Sequence, residues 1–377
     1  MSAQEGSMAT EASEEAAQKK TPLYGKHVQA EARFVSFAGW EMPLQYKEGI
    51  IREHLHTRSE VGLFDTSHMG EIFVKGPQAL QLMERLLTNR VESLAVGRAR
   101  YCMILNERGG ILDDLIVFRT KEDEFMLVVN AGTREKDFEW IRSHAGDGVE
   151  VRDQSSDFAK VDVQGPKSLE VLDRILAPLT GEAYVSTLRP FRFGHFTYGD
   201  VQVLASRTGY TGELGCELFI TPSRVESLWD AILEVESVRP AGLGARDTLR
   251  LEKGLRLYGN DIDETRTPLE ANLGRFVDLE KDFIGRYYLL QQRDEGVKEL
   301  MTGFVSDGRR TARAGFEVKS GGVTVGNVTS GAFSPCLECG AGLCYIDAQW
   351  ARDGQDLVLT DGRREIHARV VSLPIVK

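Results

Sequence analysis

Two adjacent carboxylates, Asp113 and Asp114, follow a Gly-Gly turn and open a strongly apolar run, Gly109-Gly-Ile-Leu-Asp-Asp-Leu-Ile-Val-Phe118. Taking either into apolar surroundings costs free energy unless a partner compensates it. Such a pair either caps the turn or supplies a carboxyl tuned for proton transfer. If a strand runs through the pair, successive side chains face opposite ways, so only one can look into a given pocket. The apolar residues Leu115 to Phe118 do not choose which.

A second acidic group lies in Ser206-Arg-Thr-Gly-Tyr-Thr-Gly-Glu213-Leu-Gly-Cys-Glu217-Leu-Phe-Ile220. Its three glycines permit close backbone approach before an apolar strand. Glu217 shares a strand face with Phe219, an arrangement able to grip a planar ligand that presents adjacent N–H donors. The competing reading is an outward-facing edge residue. In Ala241-Gly-Leu-Gly-Ala-Arg246-Asp247-Thr-Leu-Arg250-Leu-Glu252, Arg246 sits at the start of a predicted helix, near Ala245. It is either an anion or carbonyl ligand or one half of an ion pair with Asp247 or Glu252. The segment lacks the third glycine of a dinucleotide fingerprint, which excludes nicotinamide or flavin binding there.

The histidines form neither H-E-x-x-H nor a triad with a serine elbow. His68, in Phe64-Asp-Thr-Ser-His-Met-Gly70, reads first as a hydrogen-bonded core histidine and second as a pocket residue. Cys336-x-x-Cys339 with Cys344 resembles half a zinc site, but no histidine lies nearby in sequence to complete four ligands, and no metal is expected. An odd total of five cysteines suits reduced thiols in a cytosol.

The elements that must position these groups show a diverged repeat. Val74-Lys-Gly-Pro77-x-x-Leu80-x-x-Met83-x-Arg85-Leu-Leu87 matches Val163-Gln-Gly-Pro166-x-x-Leu169-x-x-Leu172-x-Arg174-Ile-Leu176, 89 positions later. In each copy a strand ends in valine, Gly-Pro turns, and apolar residues recur at helical spacing. Strands are predicted at Glu71 to Val74, Leu115 to Phe118, Phe125 to Asn130, Lys160 to Val163, Val201 to Ser206 and Cys216 to Ile220. From about Gly303 the texture changes to short strands between Gly-rich turns, the pattern of a small β-barrel or sandwich. The fold class is therefore α+β, with two related units of helices on antiparallel sheets and a small barrel or sandwich closing the chain.

At 377 residues and 42% hydrophobic content the chain can build several cores. Its net charge of -11 gives no general attraction for nucleic acid or anionic lipid. No run approaches the roughly 18 apolar residues of a membrane span, so no membrane partner is expected. Residues 1–20, rich in Ala, Ser and Glu, read as a disordered tail that is neither a secretory signal nor a transit peptide, with Met8 as an alternative start.

Six ordered segments together resemble the T-protein family of the glycine cleavage system. They are Phe37-Ala-Gly-Trp40-Glu-Met-Pro43-Leu-Gln-Tyr46, Gly62-Leu-Phe-Asp65-Thr-Ser-His68-Met69, Gly109 to Asp114, Arg207 to Glu213, Gly244 to Glu252, and Leu257 to Asp263 with Thr267-Pro268-Leu-Glu270. The resemblance runs from about Thr21 to the C-terminus.

It implies three domains around a central folate channel: a discontinuous first domain over 21–60 and 150–275, a second over 61–149, and a C-terminal β-barrel over 276–377. It implies an aminomethyltransferase with tetrahydrofolate as acceptor substrate, aminomethyl-lipoyl H-protein as donor and partner, and a bacterial cytoplasmic location. Asp114 matches the family's catalytic aspartate, Glu217 the glutamate that holds the pterin, and Arg246 a folate-binding arginine. Tyr101, at a position of variable residue type, and Asn130 and Tyr210, which adjoin matched motifs, are further folate-pocket candidates. The chain departs from the family in ending Val370-Val-Ser-Leu-Pro-Ile-Val-Lys377 without a C-terminal tyrosine. Alternative readings are a folate-dependent demethylase module, which normally accompanies a flavin domain, and a folate-binding scaffold for iron–sulfur assembly or RNA modification. The scaffold's Lys-Gly-Cys-Tyr-x-Gly-Gln-Glu motif does not occur in this sequence.

Overall fold

The computed structural model describes residues 18–179 and 184–377. Most of the expected tail, residues 1–17, lies outside the described residues. Lys19 already belongs to the fold: its N–H donates to the Gly39 carbonyl and its own carbonyl accepts from Glu41, 2.9 Å each.

Both copies of the repeat form a strand, a turn and a helix. Strand Gly70–Lys75 leads into helix Ala79–Leu86, and strand Ala159–Gln164 into helix Ser168–Ile175. The turn glycines occupy the same unusual backbone region, Gly76 at φ 128° and Gly165 at φ 137°. A Cβ at either would overlap a backbone carbonyl of a packed segment, Gly148 or Glu60, which explains why glycine stands in both copies. Each helix buries its apolar stripe against its own sheet, through Leu82, Met83 and Leu86 in one and Val171 and Leu172 in the other.

The first sheet has seven strands in the order Ala177–Pro178, Phe193–Tyr198, Val201–Ser206, Gly215–Ile220, Ala159–Gln164, Val61–Asp65 and Val238–Pro240. The second has five, in the order Arg98–Leu105, Ile111–Lys121, Glu124–Val129, Gly70–Lys75 and Glu150–Asp153. Val61–Asp65 pairs within the seven-stranded sheet and Glu150–Asp153 within the five-stranded one. The chain thus crosses from the seven-stranded sheet to the five-stranded one after Asp65 and back after Asp153. The sheets meet through Phe118, Met126 and Val128 on one side and Phe193, Leu204 and Phe219 on the other, with Phe118 edge-on to Phe219 at 5.8 Å.

The C-terminal segment closes into a six-stranded barrel: Glu299–Ser306, Cys339–Asp347, Val323–Ser334, Glu317–Ser320, Asp356–Thr360 and Glu365–Val371. Gly321 and Gly322, both at positive φ, form the two-residue turn between paired Ser320 and Val323. That conformation suits a primed hairpin turn and disfavours side chains. Among the described residues no helix is long and apolar enough to cross a membrane.

Candidate active site

Strand alternation separates the two aspartates as their adjacency requires. Asp113 is fully buried on the face that packs against the helices, whereas Asp114 is half-buried and lines a cavity. Asp114 lies opposite Met103 and Tyr101 opposite Ile116, so Tyr101 and Asp114 are diagonal neighbours on one face. The Tyr101 hydroxyl donates to Asp114 Oδ2 at 3.0 Å. Asn130, just after strand Glu124–Val129, links the pair: its Nδ2 donates to Asp113 Oδ1 at 2.8 Å and to Asp114 Oδ1 at 3.0 Å.

Burial, then the charge of Asp113, pushes the Asp114 carboxyl up to about 7. It can therefore take or give a proton near neutrality. Burial, then the nearby Asp114, holds the Tyr101 phenol well above its usual range, so it remains a donor.

Glu217 is not an edge residue. Its strand runs between Val201–Ser206 and Ala159–Gln164, and the side chain is only 7% exposed. Lys160 Nζ donates to Glu217 Oε1 at 2.6 Å and to Asp162 Oδ1 at 2.7 Å, while the Thr208 hydroxyl donates to Glu217 Oε2. Glu217 lies directly opposite Asp162 in the ladder, which is why one lysine reaches both. Burial opposes the charge on Lys160, but Asp162 and Glu217 outweigh it and raise its pKa. A carboxylate oxygen offers two acceptor directions, so Glu217 can still accept from a ligand in the cavity it lines.

Arg246, in helix Leu243–Glu252, pairs with neither Asp247 nor Glu252. Its NH1 donates to Asp162 Oδ2 at 2.7 Å, and its guanidinium lies 4.9 Å from the centre of the Tyr210 ring. Asp247 instead pairs with Arg250, and Glu252 with Arg58 and His54. Tyr210 donates its hydroxyl to the Arg256 carbonyl. All six sequence candidates, Asp114, Glu217, Arg246, Tyr101, Asn130 and Tyr210, line one cavity of about 1980 Å³. That is well above the roughly 300–1,000 Å³ of an ordinary small-ligand site, leaving room for two reactants to meet.

The structure adds groups that sequence reasoning missed. Lys160 and Asp162, placed by the sheet register, and Thr208, just beyond strand Val201–Ser206, anchor the acidic and basic ligand candidates. His68 makes no hydrogen bond among the described residues. Its Nδ1 is buried without a partner and its ring lines the cavity, edge-on to Phe37 at 5.6 Å, contrary to the hydrogen-bonded core reading. Burial holds its pKa down at about 4. From the C-terminal segment, which carries no tyrosine, Leu373 and Pro374 contribute to the cavity wall.

The histidine that sequence proximity did not offer to Cys336 comes from helix Ile50–Ser59: His54 Nε2 is 3.5 Å from Cys336 Sγ and 3.1 Å from Glu252 Oε2. Arg58, Ser334 and the Cys336 N–H also donate to Glu252, so hydrogen bonds already account for this carboxylate.

Comparison with known proteins identifies the family. The family model for the GCVT N-terminal domain matches residues 23–281, and that for the glycine cleavage T-protein C-terminal barrel domain matches 300–377. Proteins named aminomethyltransferase from Halothermothrix orenii and Symbiobacterium thermophilum are each 43% identical over 95% of this chain, covering 100% and 97% of their own lengths. The crystal structure of glycine cleavage system aminomethyltransferase T from Bartonella henselae superposes with a TM-score of 0.88 at 36% identity, covering 95% of this chain and 98% of that one. Matched in both its parts by the family's models, and along almost the whole length of these relatives, this chain belongs to the glycine cleavage T-protein family.

Proposed function

We propose that the chain transfers the methylene of the aminomethyl group from S-aminomethyl-dihydrolipoyl H-protein to tetrahydrofolate, releasing ammonia and forming 5,10-methylenetetrahydrofolate in the bacterial cytoplasm. The observation that carries this reading is the placement of a half-buried Asp114, titrating near neutrality, in the same large cavity as the anchored carboxylate Glu217. Five free cysteines suit a reducing compartment. The names of the matched relatives favour the transferase over the scaffold and demethylase readings.

Glu217 accepts from the adjacent N–H donors of the pterin, and Lys160 and Thr208 hold it in place. Arg246 and Tyr210 complete the polar and aromatic wall, while Tyr101 and Asn130 orient Asp114. A folate nitrogen bonds to the methylene carbon as the bond from that carbon to the amine breaks. Asp114 accepts the proton of the attacking nitrogen and returns it to the departing ammonia. The second folate nitrogen then displaces sulfur, and its proton completes the dihydrolipoyl thiol. Holding both reactants in one enclosed space supplies much of the rate, because their encounter becomes intramolecular and water is kept from the one-carbon unit.

The test mixes the protein with aminomethyl-loaded H-protein and tetrahydrofolate and follows ammonia and methylenetetrahydrofolate together. Stoichiometric formation of both is expected. Their joint absence, under conditions in which an established T-protein works, would reject the assignment.

A further inference from the structure

Behind Asp114 lies a third carboxyl that the reaction as described does not use. Asp137, in helix Arg134–His144, is 1% exposed, and neither of its carboxyl oxygens accepts a hydrogen bond from any donor among the described residues. It faces Asp113, which is itself fully buried.

The groups that could neutralise the two are committed elsewhere. Lys136, next to Asp137, directs its ammonium to the Leu112 carbonyl, the Tyr258 hydroxyl and Glu264. The Thr133 hydroxyl stands close to both carboxyls but has a single proton, which it directs to the Asn130 carbonyl at 3.1 Å. Asp113 is better supplied, because Asn130 donates to it twice, through Nδ2 at 2.8 Å and the backbone N–H at 3.1 Å.

We propose that Asp113 and Asp137 form a one-proton carboxyl pair that serves as a positioning device for Asp114, with Asp137 holding the proton, Asp113 remaining anionic, and Asn130 tying that anion to the carboxyl in the cavity. Two buried carboxyls in contact cannot both ionise, and the proton settles on the one without donors. Asp137 then donates to Asp113. The fixed charge on Asp113 stands one residue from Asp114 and disfavours its ionisation, so the cavity carboxyl takes up a proton more readily than an isolated aspartate would. Burial, then Asp113, pushes Asp137 up to about 10.

The other groups around Asp114 do not cancel this charge. Tyr101 and Asn130 supply neutral donors, and Tyr210 faces it as a neutral phenol. The nearby guanidinium groups are engaged elsewhere: Arg246 with Asp162, Arg250 with Asp247 and Asp261, and Arg256 with the Ala271 carbonyl.

The functional consequence rests on Asp114 being the reacting carboxyl, but the pair itself can be read without turnover. Infrared difference spectroscopy at about pH 9 places Asp114 and Glu71, at about 7 and about 8, in their ionised forms while Asp137, at about 10, keeps its proton. The intact protein should show a protonated-carboxyl C=O band that Asp137→Asn removes. Absence of the band, or its survival in that variant, overturns the pair. In turnover, Asp113→Asn removes the charge and should move the acid limb of the kcat profile to lower pH by about one pH unit. Asp137→Asn keeps a donor toward Asp113 and should leave the limb where it is. An unmoved limb in Asp113→Asn would overturn the link to Asp114 while the band still reports on the pair. Loss of turnover in the intact protein would instead count against the proposed reaction.

Discussion

Tyr101 and Asp114 sit diagonally across adjacent antiparallel strands, and a 3.0 Å hydrogen bond from phenol to carboxylate joins them at the cavity wall. This bond favours the ionised carboxyl, whereas burial and Asp113 oppose it. Tyr101→Phe should therefore raise the Asp114 pKa and move the acid limb of kcat to higher pH. A hydrogen bond to a charged group contributes about 1.5–3 kcal/mol, so the displacement should be at least about one pH unit. A profile that stays in place would show that this bond does not tune Asp114.

Asp114→Asn should lower turnover by about 10²-fold or more with folate affinity little changed, since an amide cannot take the proton. Single-turnover kinetics alongside folate titration check it. If Asp113→Asn abolishes turnover at every pH while Asp114→Asn stays active, the reacting carboxyl is the other member of the pair.

Glu217→Gln should weaken folate binding by roughly 1.5–3 kcal/mol, because the amide turns one accepting position into a donor facing the N–H groups of the pterin. Calorimetric titration of the folded variant measures it. Unchanged affinity would move the pterin anchor elsewhere.

Much of this site was legible because its signals are local. Adjacent aspartates on a strand must diverge, and the Gly-Pro turns carry the same positive φ in both copies of the repeat. Glu217 and Arg246 were identifiable as candidates, but their surroundings were not. Lys160 and Asp162 reach Glu217 only because strand register sets Asp162 opposite it, and register between distant strands is not written in either segment alone. His54 is hidden from Cys336 because it lies on helix Ile50–Ser59, 282 positions away, and only tertiary packing brings the two together. Which sheet Val61–Asp65 and Glu150–Asp153 join is likewise set by pairing partners rather than by local composition.

Lys160→Met should destabilise the fold by roughly 3–5 kcal/mol, because it leaves Asp162 and Glu217 as buried carboxylates without their shared cation. Arg246 still contacts Asp162, so Glu217 suffers most. Urea unfolding measures the loss. A decrease below about 1 kcal/mol, the range of exposed ion pairs, would mean that water or a rearranged Arg246 replaces the lysine.

His68 ties the cavity wall to acid stability. Its Nδ1 is buried without a hydrogen-bond partner among the described residues, and desolvation holds its pKa at about 4, below the ordinary 6.5. The unfolded chain therefore binds a proton here that the folded chain refuses, and stability at this site falls as pH drops from 6.5 toward about 4. The full difference corresponds to about 3 kcal/mol. His68→Gln, which carries no titrating group, should flatten the slope of unfolding free energy with pH across that window, whatever it does to stability at neutral pH. Urea titrations of both proteins at several pH values give the two slopes directly. Equal slopes would mean that His68 protonates in the folded state as easily as in the unfolded one, which would require an acceptor or water at Nδ1.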